Sequence, residues 1–205
     1  MNKDYSYDYE YDERYCYKQS NVLINKLDIK DSYELSVAER EITALRMMDA
    51  KINKIEGHFD FEHLCAIHRY LFGDIYEWAG NLRWVNIAKG NMFCNYEFIQ
   101  SNADRLFEEL ERENHLKDTP EHEVPIRLAY YLSEINVLHP FREGNGRTQR
   151  LFIEYLAESI GYRVDFSEVS ESDMIEASAT SFLCDYRKMN EIFLNNTIKI
   201  VNDEE

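Results

Sequence analysis

The chain has 205 residues, 44% of them hydrophobic, which is enough for one domain with a real core and too apolar for disorder. Seven glycines and three prolines are too few for the turn density of an all-β fold, so long stretches should be helical. A formal charge of −16 argues against a broad nucleic-acid surface, which needs lysines and arginines to neutralise phosphates, although a local nucleotide pocket stays open.

The first seventeen residues alternate Tyr5, Tyr7, Tyr9, Tyr11, Tyr15 and Tyr17 with acidic residues or serine. The period of two is strand-like but has no partner in the local sequence, so residues 1–20 read as an acidic, Tyr-rich arm, mobile or loosely docked. This N-terminus lacks the apolar core of a secretory signal, and no later run reaches the ~18 apolar residues of a membrane span. A cytoplasmic protein is expected, with delivery into another cell by some other signal left open. Cys16, Cys65, Cys94 and Cys184 form no metal-binding spacing and read as free thiols.

A helix is expected over 31–55, capped by Asp31 or Ser32 and ended by Gly57. Phe61, Leu64, Ile67, His68 and Leu71 fall at helical spacing within 59–76. Trp78, Ala79 and Gly80 break that pattern. Residues 82–94 carry the β-formers Trp84, Val85 and Ile87 and a Lys89-Gly90-Asn91 turn, which predicts a short hairpin. Helices then follow over 96–114, 120–138, 145–159, 171–182 and 186–200, with Gly161 as a stop. No repeat or linker divides residues 21–205, which read as one catalytic domain.

The chemistry concentrates in His139 to Arg150, HPFREGNGRTQR. Pro140 ends the preceding helix, and Gly144 and Gly146 let the backbone turn and approach a ligand. A helix starting near Asn145 aims free N–H groups and its positive dipole end into the loop, which makes an anion site. Arg147 and Arg150, three apart, can reach phosphate oxygens together. Glu143 beside phosphates suits a bridging Mg²⁺, and His139 can accept a proton at neutral pH. Together they fit phosphoryl or nucleotidyl transfer. Taken singly, each has a plainer reading: a cap, a turn, or surface ion pairs.

The segment closely resembles the Fic-family signature His-x-Phe-x-(Asp/Glu)-Gly-Asn-Gly-Arg-x-x-Arg, with His139, Phe141, Glu143, Gly144, Asn145, Gly146, Arg147 and Arg150 filling every fixed position. Residues 67–83 (IHRYLFGDIYEWAGNLR) look like the segment ahead of that family's hairpin "flap", and Asn86, Ile87, Ala88, Lys89 and Gly90 look like the flap itself. The resemblance implies an all-α, Fic-type helical bundle with a short β-hairpin flap beside the active-site loop. It implies ATP as substrate, Mg²⁺ held by Glu143, and AMP transfer to a protein hydroxyl with His139 as base and pyrophosphate as leaving group. Gly144, Asn145, Gly146, Arg147 and Arg150 would hold the phosphates, Phe141 would anchor the loop, and the flap would pair with the target's main chain. Lys89 could assist there or be a solvated turn residue.

Relatives that transfer phosphate, UMP or phosphocholine, and inactive binding modules of the same fold, are the alternatives; the intact GNGR disfavours phosphate transfer, the intact His139 and Arg150 disfavour an inactive module, and the mass added to a target separates the rest. Family members restrained by a helix carry (Ser/Thr)-x-x-x-Glu-(Gly/Asn). Here Ser6/Glu10, Thr119/Glu123, Ser167/Glu171 and Ser172/Glu176 have the spacing without the following Gly or Asn, and Thr119 and Ser167 also read as helix capping boxes. Residues 15–31 (YCYKQSNVLINKLDIKD) also look like the toxin component of Fic toxin–antitoxin pairs, so the resemblance implies a toxin restrained by a separate small antitoxin that supplies the helix. By resemblance the leading target is a type II topoisomerase subunit, with no direct contact to nucleic acid or membrane.

Overall fold

Helix α1 runs from Ser32 to Ile52 in the computed structural model, which describes residues 8–9 and 13–201. Asp31, not Ser32, caps it: its carboxylate accepts the N–H groups of Tyr33 and Glu34, both at 2.9 Å. The helix stops before Gly57 because Asn53 already leaves helical geometry. Helix α2, Phe61–Phe72, is capped by Asp60 and buries all five residues of the expected stripe. It is shorter than expected at both ends, since Phe59 sits at positive φ and Gly73 closes the helix.

The hairpin is made of β2, Ile87–Lys89, and β3, Asn91–Met92, turning at Gly90 with φ +75°. It is not alone. Strand β1, Asp8–Tyr9, pairs antiparallel with the outer edge of β2, Tyr9 opposite Ile87 and Asp8 opposite Ala88. The strand-like period of the arm thus finds its partner about eighty residues away, where local pattern cannot show it. The remaining tyrosines up to residue 11 lie outside the described residues. Tyr15 is buried, stacked on Trp84 at 4.6 Å and edge-on to Trp78, so the end of the arm belongs to the core.

After a 3-10 turn at Tyr96–Phe98 come α3, Ile99–Arg112, and α4, Val124–Leu138. Helix α4 begins four residues later than expected, and Thr119 does not cap it. Helix α5, Asn145–Ser159, has the expected bounds. Strand β4, Tyr162–Val164, follows, then α6, Glu171–Ser181, capped by Ser170 rather than Ser167. The expected last helix divides into α7, Arg187–Asn196, and β5, Thr197–Lys199, which pairs with β4. Thr197 and Ile198 are β-branched, and Tyr162–Val164 offers them a ladder. Helices α2, α4 and α5 pack together around Leu64, Ile67, Leu132, Ile135, Phe152 and Leu156, all essentially inaccessible. Burying side chains of this size stabilises by roughly 1.5–3 kcal/mol each, so the core fixes the loop that joins α4 to α5. No described helix is long and apolar enough to cross a membrane.

Candidate active site

The α4–α5 loop is built from its own residues. His139 closes α4 in the left-handed region, φ 44° and ψ 58°, with its N–H on the Ile135 carbonyl. The side-chain amide of Asn145 spans the loop: Oδ1 accepts the Phe141 N–H at 2.9 Å and Nδ2 donates to the Phe141 carbonyl at 2.8 Å. Phe141 is buried and stacks on the His68 ring at 3.8 Å. His68 donates from Nε2 to the Glu143 carbonyl at 2.9 Å and accepts the Gly80 N–H on Nδ1 at 2.8 Å. Gly144 has φ +82°, and a Cβ there would lie 2.2 Å from the Phe72 ring. No other residue fits that position.

The first intrahelical bond of α5 runs from Thr148 N–H to Gly144 O. The N–H groups of Asn145, Gly146 and Arg147 therefore have no intrahelical acceptor, and they lie at the positive end of the helix dipole. A cavity of about 470 Å³ opens beside this end. His139, Gly146 and Arg150 line it, with Lys89 and Asn91 from the hairpin. Phe166, Met174, Ile175 and Phe182 form an apolar wall opposite. The volume suits a ligand of a few hundred Å³ with one charged end and one flat apolar end.

Burial, with the charges of Arg83 and Lys89, pushes the His139 imidazole down to about 3, so it is neutral at physiological pH. Its Nδ1 faces the Asn136 carbonyl at 3.3 Å. The tautomer that satisfies this contact carries the proton on Nδ1 and leaves Nε2 as the basic nitrogen. The Phe93 ring stacks on the imidazole at 3.7 Å and 11° and fixes its plane. Arg150 is lowered by burial and by Arg147, while Glu154 and Glu171 act on it through space in the opposite sense. A half-buried guanidinium so placed favours an anionic ligand.

The two arginines do not act as a pair in this structure. Arg147 turns to α1, where Nη1 donates to Thr43 at 2.8 Å and Nη2 bonds the Glu39 carboxylate. Glu39 also accepts the Tyr76 hydroxyl at 2.5 Å. Arg147 thus lies behind the loop and Arg150 in front of it. The side chain of Asn145 is likewise committed to the loop, leaving its backbone N–H to face a ligand. Glu143 accepts the Gly144 N–H at 2.9 Å, and no group of three or more His, Cys, Asp or Glu residues suited to a metal occurs among the described residues. A single carboxylate beside an anion site is the donor set Mg²⁺ takes when phosphates complete its shell. Of the flap residues, Ile87, Ala88 and Lys89 form β2, Gly90 turns, and Asn86 accepts the Tyr96 N–H at 3.3 Å.

A family model described as Fic/DOC matches residues 58–157. A probable protein adenylyltransferase of Sinorhizobium fredii is 41% identical over 169 residues, covering 82% of this chain and 86% of that protein. The chain belongs to the Fic/DOC family. The Fic/DOC chain is also 40% identical over 183 residues to protein adenylyltransferase VbhT of Bartonella schoenbuchensis; the match covers 89% of this chain but only 38% of that longer relative. Among solved structures, a Fic domain of a Bartonella quintana VirB-translocated effector with bound ADP superposes at TM-score 0.86. It is 30% identical, and the match covers 92% of this chain and 96% of that one. The Bartonella tribocorum BepC protein with bound AMPPNP superposes at 0.85 with 27% identity, covering 92% and 98%.

Sequence reasoning missed Arg83, Glu39, Phe93 and Glu171. Each is contributed by an element distant in sequence from the motif. None of the four carries a signal in the sequence that sets it apart from surface or core residues of the same type.

Proposed function

We propose that this Fic/DOC chain is a protein adenylyltransferase, moving AMP from ATP to a hydroxyl side chain of a target protein. One observation carries the reading: a neutral imidazole, a helix N-terminus and the half-buried Arg150 line one cavity. In this reading the adenine lies against Phe166, Met174, Ile175 and Phe182, and the phosphates face the backbone N–H groups of Asn145, Gly146 and Arg147, while Gly144, whose N–H is held by Glu143, turns the chain beneath them. Arg150 contacts the outer phosphates, and Arg147 supports the loop from behind through Glu39. Glu143 would hold Mg²⁺ with the α- and β-phosphates, where the ion would neutralise phosphate charge. Nε2 of His139 takes the proton as the hydroxyl oxygen bonds to the α-phosphorus. The bond from that phosphorus to the α–β bridging oxygen breaks, and pyrophosphate leaves.

The flap would present the target hydroxyl by main-chain pairing. Since β1 covers the outer edge of β2, a target segment on that edge must displace residues 8–9. A small antitoxin offering a glutamate to Arg150 would restrain the enzyme; no (Ser/Thr)-x-x-x-Glu-(Gly/Asn) segment occurs in the sequence. A type II topoisomerase subunit in the cytoplasm is the proposed target, on the family resemblance alone.

The test uses ATP labelled on the α-phosphate, cell lysate and either the native chain or His139→Ala. Labelling by the native chain alone, with AMP mass added to the acceptor, is expected. Labelling that survives His139→Ala, or an acceptor carrying phosphate instead of AMP, refutes the assignment.

A further inference from the structure

The motif explains the loop and its ligand, but not what fixes the hairpin relative to the imidazole. Arg83 sits between them and is 2% exposed. Its Nε donates to the His139 carbonyl at 2.7 Å, and Nη2 reaches the Leu138 carbonyl at 3.3 Å. Its Nη1 donates to the Val85 carbonyl at 2.6 Å, and Nη2 also bonds the Cys94 carbonyl. Val85 and Cys94 flank the hairpin on its two sides, whereas Leu138 and His139 end α4. The main chain repeats the tie: Arg83 N–H donates to Pro140 O at 2.9 Å, and Cys94 N–H to Val137 O at 3.0 Å.

We infer that Arg83 is a positioning residue for the transfer reaction, holding the target-docking hairpin and the backbone of the catalytic base as one unit. This rests on the adenylyltransferase reading above.

Only a guanidinium fits the task. Its planar fork offers five donors in fixed directions, enough for four carbonyls arranged around it; an ammonium has three donors and no plane. The Leu138 and His139 carbonyls are among the last of α4 and have no partner within the helix, and a cation suits that end of the dipole. Burial lowers the Arg83 guanidinium to about 10, which leaves it charged at neutral pH. The left-handed backbone of His139, costly for a residue with a Cβ, persists only where neighbours over-determine it. Arg83 supplies that constraint, and Phe93, on the hairpin's exit, holds the ring whose backbone Arg83 holds. A shift of the hairpin would therefore move docked target and base together.

A core brace with no catalytic part would lower stability and leave the hairpin as ordered as the rest of the domain. The two roles separate in Arg83→Lys. In the folded variant, amide exchange of residues 87–93 should rise at least about tenfold, as expected for losing charged hydrogen bonds, while AMPPNP affinity stays within about threefold. The transfer rate to lysate acceptors at saturating ATP should fall at least about tenfold, with the KM for ATP little changed. Hairpin exchange within about twofold of the native chain overturns the inference, as does loss of AMPPNP binding in parallel with transfer. If the variant does not fold, native-chain exchange decides: protection of the Arg83, Cys94 and His139 amides should agree within about threefold, and a spread beyond about tenfold refutes one unit. Exchange and AMPPNP binding need no turnover, so this result stands apart from the His139→Ala test.

Discussion

In the proposed site Asn145 offers its backbone N–H to the phosphates while its side chain spans the loop, and Asn145→Ala tests that division. A side chain that holds phosphate would cost activity when removed and leave the fold alone. The structure instead shows Asn145 5% exposed and bonded both to the N–H and to the carbonyl of Phe141. Alanine leaves two buried main-chain groups without partners, each worth roughly 1–3 kcal/mol. Water from the adjoining cavity will offset part of this, so the expected loss is about 2–4 kcal/mol. For a domain of this size, that lowers the urea midpoint by about 1 M at an unchanged slope. Asn145→Asp is the informative companion. It keeps an acceptor for the Phe141 N–H but sets a carboxylate against the Phe141 carbonyl, so it should be destabilised without recovering the loop. Urea unfolding followed by far-UV circular dichroism, with AMPPNP binding measured alongside, gives both quantities. An alanine variant within about 0.5 kcal/mol of native that has lost nucleotide binding refutes the argument and returns the side chain to the phosphates.

Three other expectations follow from the same contacts. His68 and His139 are both held near 3 in the folded chain against 6.5 unperturbed, chiefly by burial. The unfolded chain therefore binds protons first, and stability falls as pH drops below about 6.5 toward 3, by up to about 2.7 kcal/mol per unit for two protons. His68→Gln should roughly halve that slope in melts across pH 6 to 4; an unchanged slope refutes it. Glu39→Gln removes the charge that holds Arg147 in a largely buried pair, and should cost about 1–2 kcal/mol in thermal or urea melts. A double-mutant cycle with Arg147→Met should return most of that as coupling. Deleting residues 1–12 removes β1 and bares the edge of β2, so exchange at Ala88 should rise and labelling of lysate acceptors should rise severalfold. Unchanged labelling would assign target docking to the other edge, at β3.

The motif was readable because its parts are contiguous: Pro140 breaks a helix, glycines turn the chain, and Asn145 starts the next helix within a span too short for tertiary context to override. The bounds of α5 and the buried stripe of α2 followed for the same reason, since helical periodicity is local. Sequence alone thus determined a mainly helical domain, a hairpin, and the position of a glycine-lined turn at a helix N-terminus with a histidine beside it. Only the tertiary structure decided that Arg147 faces Glu39 while Arg150 faces the cavity, because three residues on a helix differ by about 60° and the neighbours of each are set by packing. It alone paired Asp8–Tyr9 with the hairpin and Thr197–Lys199 with β4, since strand partners carry no local signature. And it alone placed Arg83 among four carbonyls, because a buried charge is explained only by the groups that surround it.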